Sequence, residues 1–222
     1  MKAPSDAVIE VLTAVRPRLR GRIHQVVFFL SIPAGIAVVA AARTASARVG
    51  AVVYALSLTG LFGTSAAYHR LAHSLRARLW LRRLDHSMIF VLIAGSYTPI
   101  CLVALSGAWR AVALSVVWAG ALVGVGLKMF RLDAMRLGNS LYILLGWGVL
   151  LVLPQLAQRV GQAPLVLLAS GGLLYTAGAV VLSKRRPDPV PAVFGYHEVW
   201  HSLTVVAGAC HYAMILLVVR AS

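Results

Sequence analysis

Seven apolar stretches, at about residues 23–42, 49–68, 86–105, 109–127, 139–157, 164–183 and 195–219, take up most of this 222-residue chain. Each is close to the roughly 20 residues an α-helix needs to cross the hydrocarbon of a bilayer. Only helices and closed barrels satisfy every backbone N–H and C=O there, and unbroken apolar runs of this length belong to helices. The chain therefore reads as all-α, a seven-helix bundle forming one membrane domain over residues 1–222. Composition agrees, since 60% hydrophobic and 12% charged residues with a mean hydropathy of +0.84 would leave a water-soluble domain with a vast exposed apolar surface. No extramembrane stretch is long enough for a second domain, and no repeat is visible.

A net charge of +15 would suggest nucleic acid in a soluble protein, but here the cations sort by loop. Lys2, Arg16, Arg18, Arg20 and Arg22 precede the first span. Arg70, Arg76, Arg78, Arg82 and Arg83 follow the second, Lys128, Arg131 and Arg136 the fourth, and Lys184, Arg185 and Arg186 the sixth. The other faces hold only Arg43, Arg48, Arg110, Arg159 and Arg220. By the positive-inside rule the N-terminus is cytoplasmic and, after seven crossings, the C-terminus lies outside. The charge is thus a topology signal in a plasma-membrane protein, and membrane lipids rather than nucleic acid are the expected partners. Arginine outnumbers lysine eighteen to three, which fits a GC-rich bacterial genome.

Ala45-Ser46-Ala47 after a basic N-terminal region looks like a signal-peptide cleavage site, but the apolar run before it is longer than a signal core. Cys101 and Cys210 both fall within spans and read as reduced, packed thiols. Trp80, Trp109, Trp200 and Tyr97 are candidate interface anchors, and Trp147 between Gly146 and Gly148 reads as a packing residue.

Helix direction then gathers the polar residues. The second span runs inward and ends at Ser65 and His69. The third starts inside, near Asp85 and His86, and the seventh starts there too, with His197 and His201 in its first two turns. Residues four apart on a helix have Cβ atoms roughly 5–6 Å from each other, so one ion can bridge the histidine pair. Ionisable groups inside a membrane are costly and mark function. Three histidines with an open fourth position describe a catalytic zinc site, and no cysteine lies at this depth to close it. We assign His69, His197 and His201 as ligands and Asp85 as general base, hydrogen-bonded to the water the ion holds. Ser65, on the face of His69, orients a ligand, an Asp85 oxygen or a substrate carbonyl, and the sequence does not choose among them.

Ser65-x-x-x-His69, Arg83-Leu84-Asp85-His86 at the third span and His197-x-x-x-His201 in the seventh, together with Ala94-Gly95-Ser96-Tyr97-Thr98-Pro99 and the run from Phe194 to Tyr212, resemble the bacterial haemolysin III proteins. That family is similar to the adiponectin and progestin receptors and, more distantly, to the alkaline ceramidases. The resemblance covers nearly the whole chain. It implies zinc on the three histidines, the aspartate on its water, and hydrolysis of a lipid amide.

Other readings attach to the same residues. His197 to His201 spells the metalloprotease pattern H-E-x-x-H, with Glu198 as base. Thr204 and Ala207 break the longer metzincin form, and downstream only His211 remains as a further ligand. His211 lies about 15 Å deeper by helical rise, too far to share the ion; it lines a polar cavity or bonds a neighbouring helix. Glu198 reads as an interfacial carboxylate facing water or arginine, and as the base should Asp85 stand too far away. Asp85 itself could serve a salt bridge to Arg82 or Arg83, and Ser65 could merely satisfy a backbone carbonyl. His24, His73 and His86 read as boundary residues among arginines. Beside the hydrolase stand a zinc-braced, lipid-responsive sensor with little turnover and a pore-forming cytolysin; seven permanent spans fit a resident protein better than a toxin.

Overall fold

The computed structural model describes residues 17–131 and 135–222, apart from the side chains at 135, 136 and 139. Lys2, Arg16 and the Arg136 side chain of the charge count lie outside that description. The described chain is helical, with no β-strand beyond one isolated antiparallel bridge, Val190 to Phe194. Helix α1 covers Arg22–Ala41, α2 Ala45–Leu71, α3 Leu75–Ala104, α4 Gly107–Phe130, α5 Met135–Trp147, α6 Leu153–Arg159, α7 Gln162–Lys184 and α8 Tyr196–Arg220. A 3₁₀ turn, Gly148–Val152, joins α5 to α6, and together they make the fifth of seven segments long and apolar enough to span a bilayer.

Packing is sequential, α1 on α2, α2 on α3, α3 on α4 and α7 on α8, and α8 closes the bundle by reaching α1 and α3. Small residues let backbones approach, as membrane helices require where lipid tails offer no hydrophobic incentive to associate. A Cβ at Gly50 of α2 would sit 2.6 Å from Pro99 Cα of α3, and one at Gly95 of α3 would collide with Ser57 of α2. Tyr212 of α8 donates to the Ala34 carbonyl of α1 at 3.0 Å. Phe29, Leu30, Ile36, Leu56, Leu122 and Val123 point outward, the apolar coat a lipid solvent calls for.

The helices differ from the apolar runs mainly at their basic ends. Helix α3 begins at Leu75 rather than near residue 86, capped by the Ser74 hydroxyl, which accepts from Ala77 N at 3.1 Å. Arg76, Arg78, Arg82 and Arg83 therefore ride on helical turns instead of a loop, because a helix does not stop where the hydrocarbon does. Ala45–Ala47 form the first turn of α2 behind a Thr44 cap.

The break in the fifth crossing has a local cause. Pro154, just after the turn, has no N–H to donate back to residue 150, and Gly146 and Gly148 stand at the start of the turn. Tyr97, expected as an interface anchor, is instead buried, and its hydroxyl lies 3.0 Å from both the Leu145 and Gly146 carbonyls. Tightening to 3₁₀ shifts backbone pairing from i→i−4 to i→i−3, and the phenol supplies a hydrogen to the carbonyls at that junction. Trp80 and Trp109 are exposed as anchors should be, whereas Trp147 packs inward and donates to Thr176 Oγ1 of α7 at 3.0 Å. Cys101 is buried, Cys210 half-buried, and both are free thiols.

Tyr97→Phe should keep the helices but destabilise the fold by about 1–2 kcal/mol, the usual loss for an orphaned buried carbonyl. Unfolding of the detergent-solubilised protein would read this, with Tyr54→Phe, where the buried hydroxyl has no hydrogen-bond partner to lose, as the comparison.

Candidate metal centre

His69 ends α2, and His197 and His201 open α8 one turn apart, so α8 lays its first two turns beside the last turn of α2. One ring nitrogen from each of the three lies within 4.8 Å of the others. His69 Nε2 and His197 Nε2 are 3.3 Å apart. Two nitrogens on a tetrahedral zinc at about 2.0–2.1 Å are separated by roughly 3.3–3.4 Å, so this edge already has the dimension of a coordination sphere. His201 is only 1% exposed, and its Nε2 is a buried polar atom without a hydrogen-bond partner. A buried ring nitrogen without a partner is costly unless something binds it. The donor set therefore fits a divalent ion of the zinc class, whose catalytic sites take three protein ligands such as these imidazoles.

Asp85 lies on α3, buried, with Ser65 and Arg82 as the groups acting on its carboxyl. It is not a member of the mutually close group that the three histidines form. Ser65 is buried one helical turn before His69, and its Oγ is 2.8 Å from Nδ1 of His24. His24 is the residue that sequence reasoning passed over. It is buried in the first turn of α1, its ring stacked on His201 with centroids 3.7 Å apart and planes 8° from parallel. The signal was available: the first span starts from the same side as the third and seventh, so the parity that collected Asp85 and His197 collects His24 too.

The other histidines separate cleanly. His73 is exposed and His86 half-buried. His211 bonds the Leu168 carbonyl of α7 at 3.3 Å and packs against Gly171, which settles it as a helix-to-helix contact.

Glu198 is not directed at the histidine group. It is 1% exposed; Oε1 takes Nε of Arg20 at 2.5 Å and Oε2 takes the Gly195 N–H at 3.0 Å. The carboxylate thus closes the N-terminus of α8 and meets arginine, as expected, but is shut away from water. Both oxygens are committed, which leaves the H-E-x-x-H reading without its base. Arg18 N and Leu19 N donate to the Ala192 and Val193 carbonyls, each at 3.1 Å, so residues 17–21 lie along the 190–195 segment as a strap beside the histidines. The strap turns into α1 at Gly21, whose φ is +76° and where a Cβ would collide with that of His69.

A family model described as haemolysin-III related matches residues 12–212. The chain is 32% identical over 201 residues to Hemolysin-3 of Bacillus cereus, covering 88% of each protein. It is 30% identical over 197 residues to a Hemolysin-3 homolog of Bacillus subtilis (strain 168), covering 87% of this chain and 89% of that one. The matched region contains His24, Ser65, His69, Asp85, His197 and His201.

Gly21→Ala should cost clearly more than the roughly 1–2 kcal/mol of left-handed backbone alone, because its methyl meets His69. Gly107→Ala is the control: φ is +55° there and nothing lies within 4 Å, so only the backbone part should appear in thermal unfolding.

Proposed function

Because the chain belongs to the haemolysin III family and is a multi-pass bacterial membrane protein, we propose that it is a zinc-dependent membrane hydrolase acting on a lipid amide or ester. The observation that carries this reading is the convergence of His69, His197 and His201 inside the bundle, with ring nitrogens within 4.8 Å of one another. A bound zinc would supply Lewis-acid polarisation of a carbonyl and activation of water.

The chain's own residues then divide the work. His69 and His201 are buried and His197 half-buried, so the three hold the ion within the helix bundle. Asp85 takes the proton from water as general base and returns it to the leaving group. Ser65, between Asp85 and His24, fixes the carboxyl's orientation. The substrate enters laterally, its acyl chain among the helices and its polar group at the level of the strap. Sixteen of twenty-one lysines and arginines on alternate loops support a cytoplasmic placement of this end.

Elemental analysis should find about one zinc per chain, lost on His69→Ala, His197→Ala or His201→Ala. Asp85→Asn should keep the zinc while fatty-acid release from an amide- and ester-lipid panel falls by about 10²–10⁴-fold. Zinc without any lipid cleavage would turn the reading towards a sensor braced by the metal; no zinc in the wild-type protein would overturn it.

A further inference from the structure

The contacts of His24 are not those of a fourth ligand. A metal bonds imidazole along the nitrogen lone pair, in the plane of the ring. The His24 and His201 rings are stacked 8° from parallel, so their in-plane lone pairs lie in two parallel sheets and would not converge on one ion. His24 also lies outside the mutually close nitrogen group. It does have two engaged surfaces. One ring face covers His201, and Nδ1 meets the Ser65 hydroxyl at 2.8 Å. An edge contact to Phe62, centroids 5.0 Å apart, holds the ring from a further side.

Ser65 is shared: its Oγ meets Nδ1 of His24, and the same hydroxyl bonds the Asp85 carboxyl. A hydroxyl has a single hydrogen, so where that hydrogen goes to the Asp85 carboxylate, Nδ1 of His24 is the donor to Oγ.

We propose that His24 is a positioning residue of the metal centre, fixing the Ser65 hydroxyl through Nδ1 and bracing the His201 ring by stacking. The inference rests on the three-histidine zinc site proposed above. A ligand held in one orientation loses less freedom when it binds, and partners of this kind typically contribute 10–100-fold in metal affinity. His24 thus ties α1, which offers no ligand, to α2 and α8, which offer all three.

The test is zinc affinity of the full-length protein in detergent, read by competition with a chelator. His24→Ala should still reach one zinc per chain at saturation but bind it 10–100-fold more weakly. His24→Phe keeps a stacking face and should recover most of the affinity. His24→Asn offers an amide nitrogen near the place of Nδ1; it should keep the tie to Ser65 but not the affinity. The Ser65 arm is read by thermal unfolding of the zinc-loaded protein. His24→Phe combined with Ser65→Ala should lower the melting temperature no further than the larger single effect, while His24→Asn with Ser65→Ala should exceed both singles. Should His24→Ala fail to fold, the Phe and Asn variants still decide the matter. Equal zinc affinity in all three variants, loss of saturable zinc in His24→Phe, or additive effects of His24→Phe and Ser65→Ala would overturn the inference and leave the zinc site standing. A wild-type protein that binds no zinc would instead remove the site reading and this inference with it.

Discussion

Imidazole is a poor guest in hydrocarbon, and four of them in one place must answer for one another. His24, His69, His197 and His201 come from three helices and meet through ring contacts and a 3.3 Å nitrogen pair. Each is tolerated because the others, Ser65 and the strap of residues 17–21 keep acyl chains away from it. Remove that mutual shelter and the ends of α1, α2 and α8 have little else polar to bring them together, since apolar faces gain nothing by leaving lipid for one another.

The spans and most of the site were legible from composition and direction alone. Apolar length gave seven crossings, and the parity of helix direction placed Ser65, His69, Asp85, His197 and His201 at one end. Where the reading fell short, it was because hydropathy reports the bilayer's thickness and not the helix's length. The arginine-bearing start of α3 is helical although it is not apolar. His24 was passed over for a related reason: among Arg20, Arg22 and the start of a span it has the composition of a boundary residue, and although helix direction puts it at the same end as the other histidines, its inward orientation comes from packing.

Glu198 and Tyr97 illustrate the same limit from opposite sides. The motif around Glu198 advertises a base, yet an arginine and a helix terminus claim its two oxygens first. Tyr97 advertises an anchor at the membrane surface, yet its hydroxyl goes to the Leu145 and Gly146 carbonyls, where the fifth crossing passes from α-helix to 3₁₀ turn. In both cases a backbone hydrogen-bonding group decides where the side chain goes, and such groups cannot be seen until the helices are side by side.

The strap that joins residues 18 and 19 to residues 192 and 193, with Arg20 on Glu198, brings the entry to the first helix against the entry to the last. During synthesis the last helix emerges long after the first three have left the ribosome. His24, His69 and Asp85 must therefore wait, incompletely partnered, until α8 arrives. A chain halted before that point lacks two of the three clustered histidines, so the proposed ion site is among the last features that insertion completes.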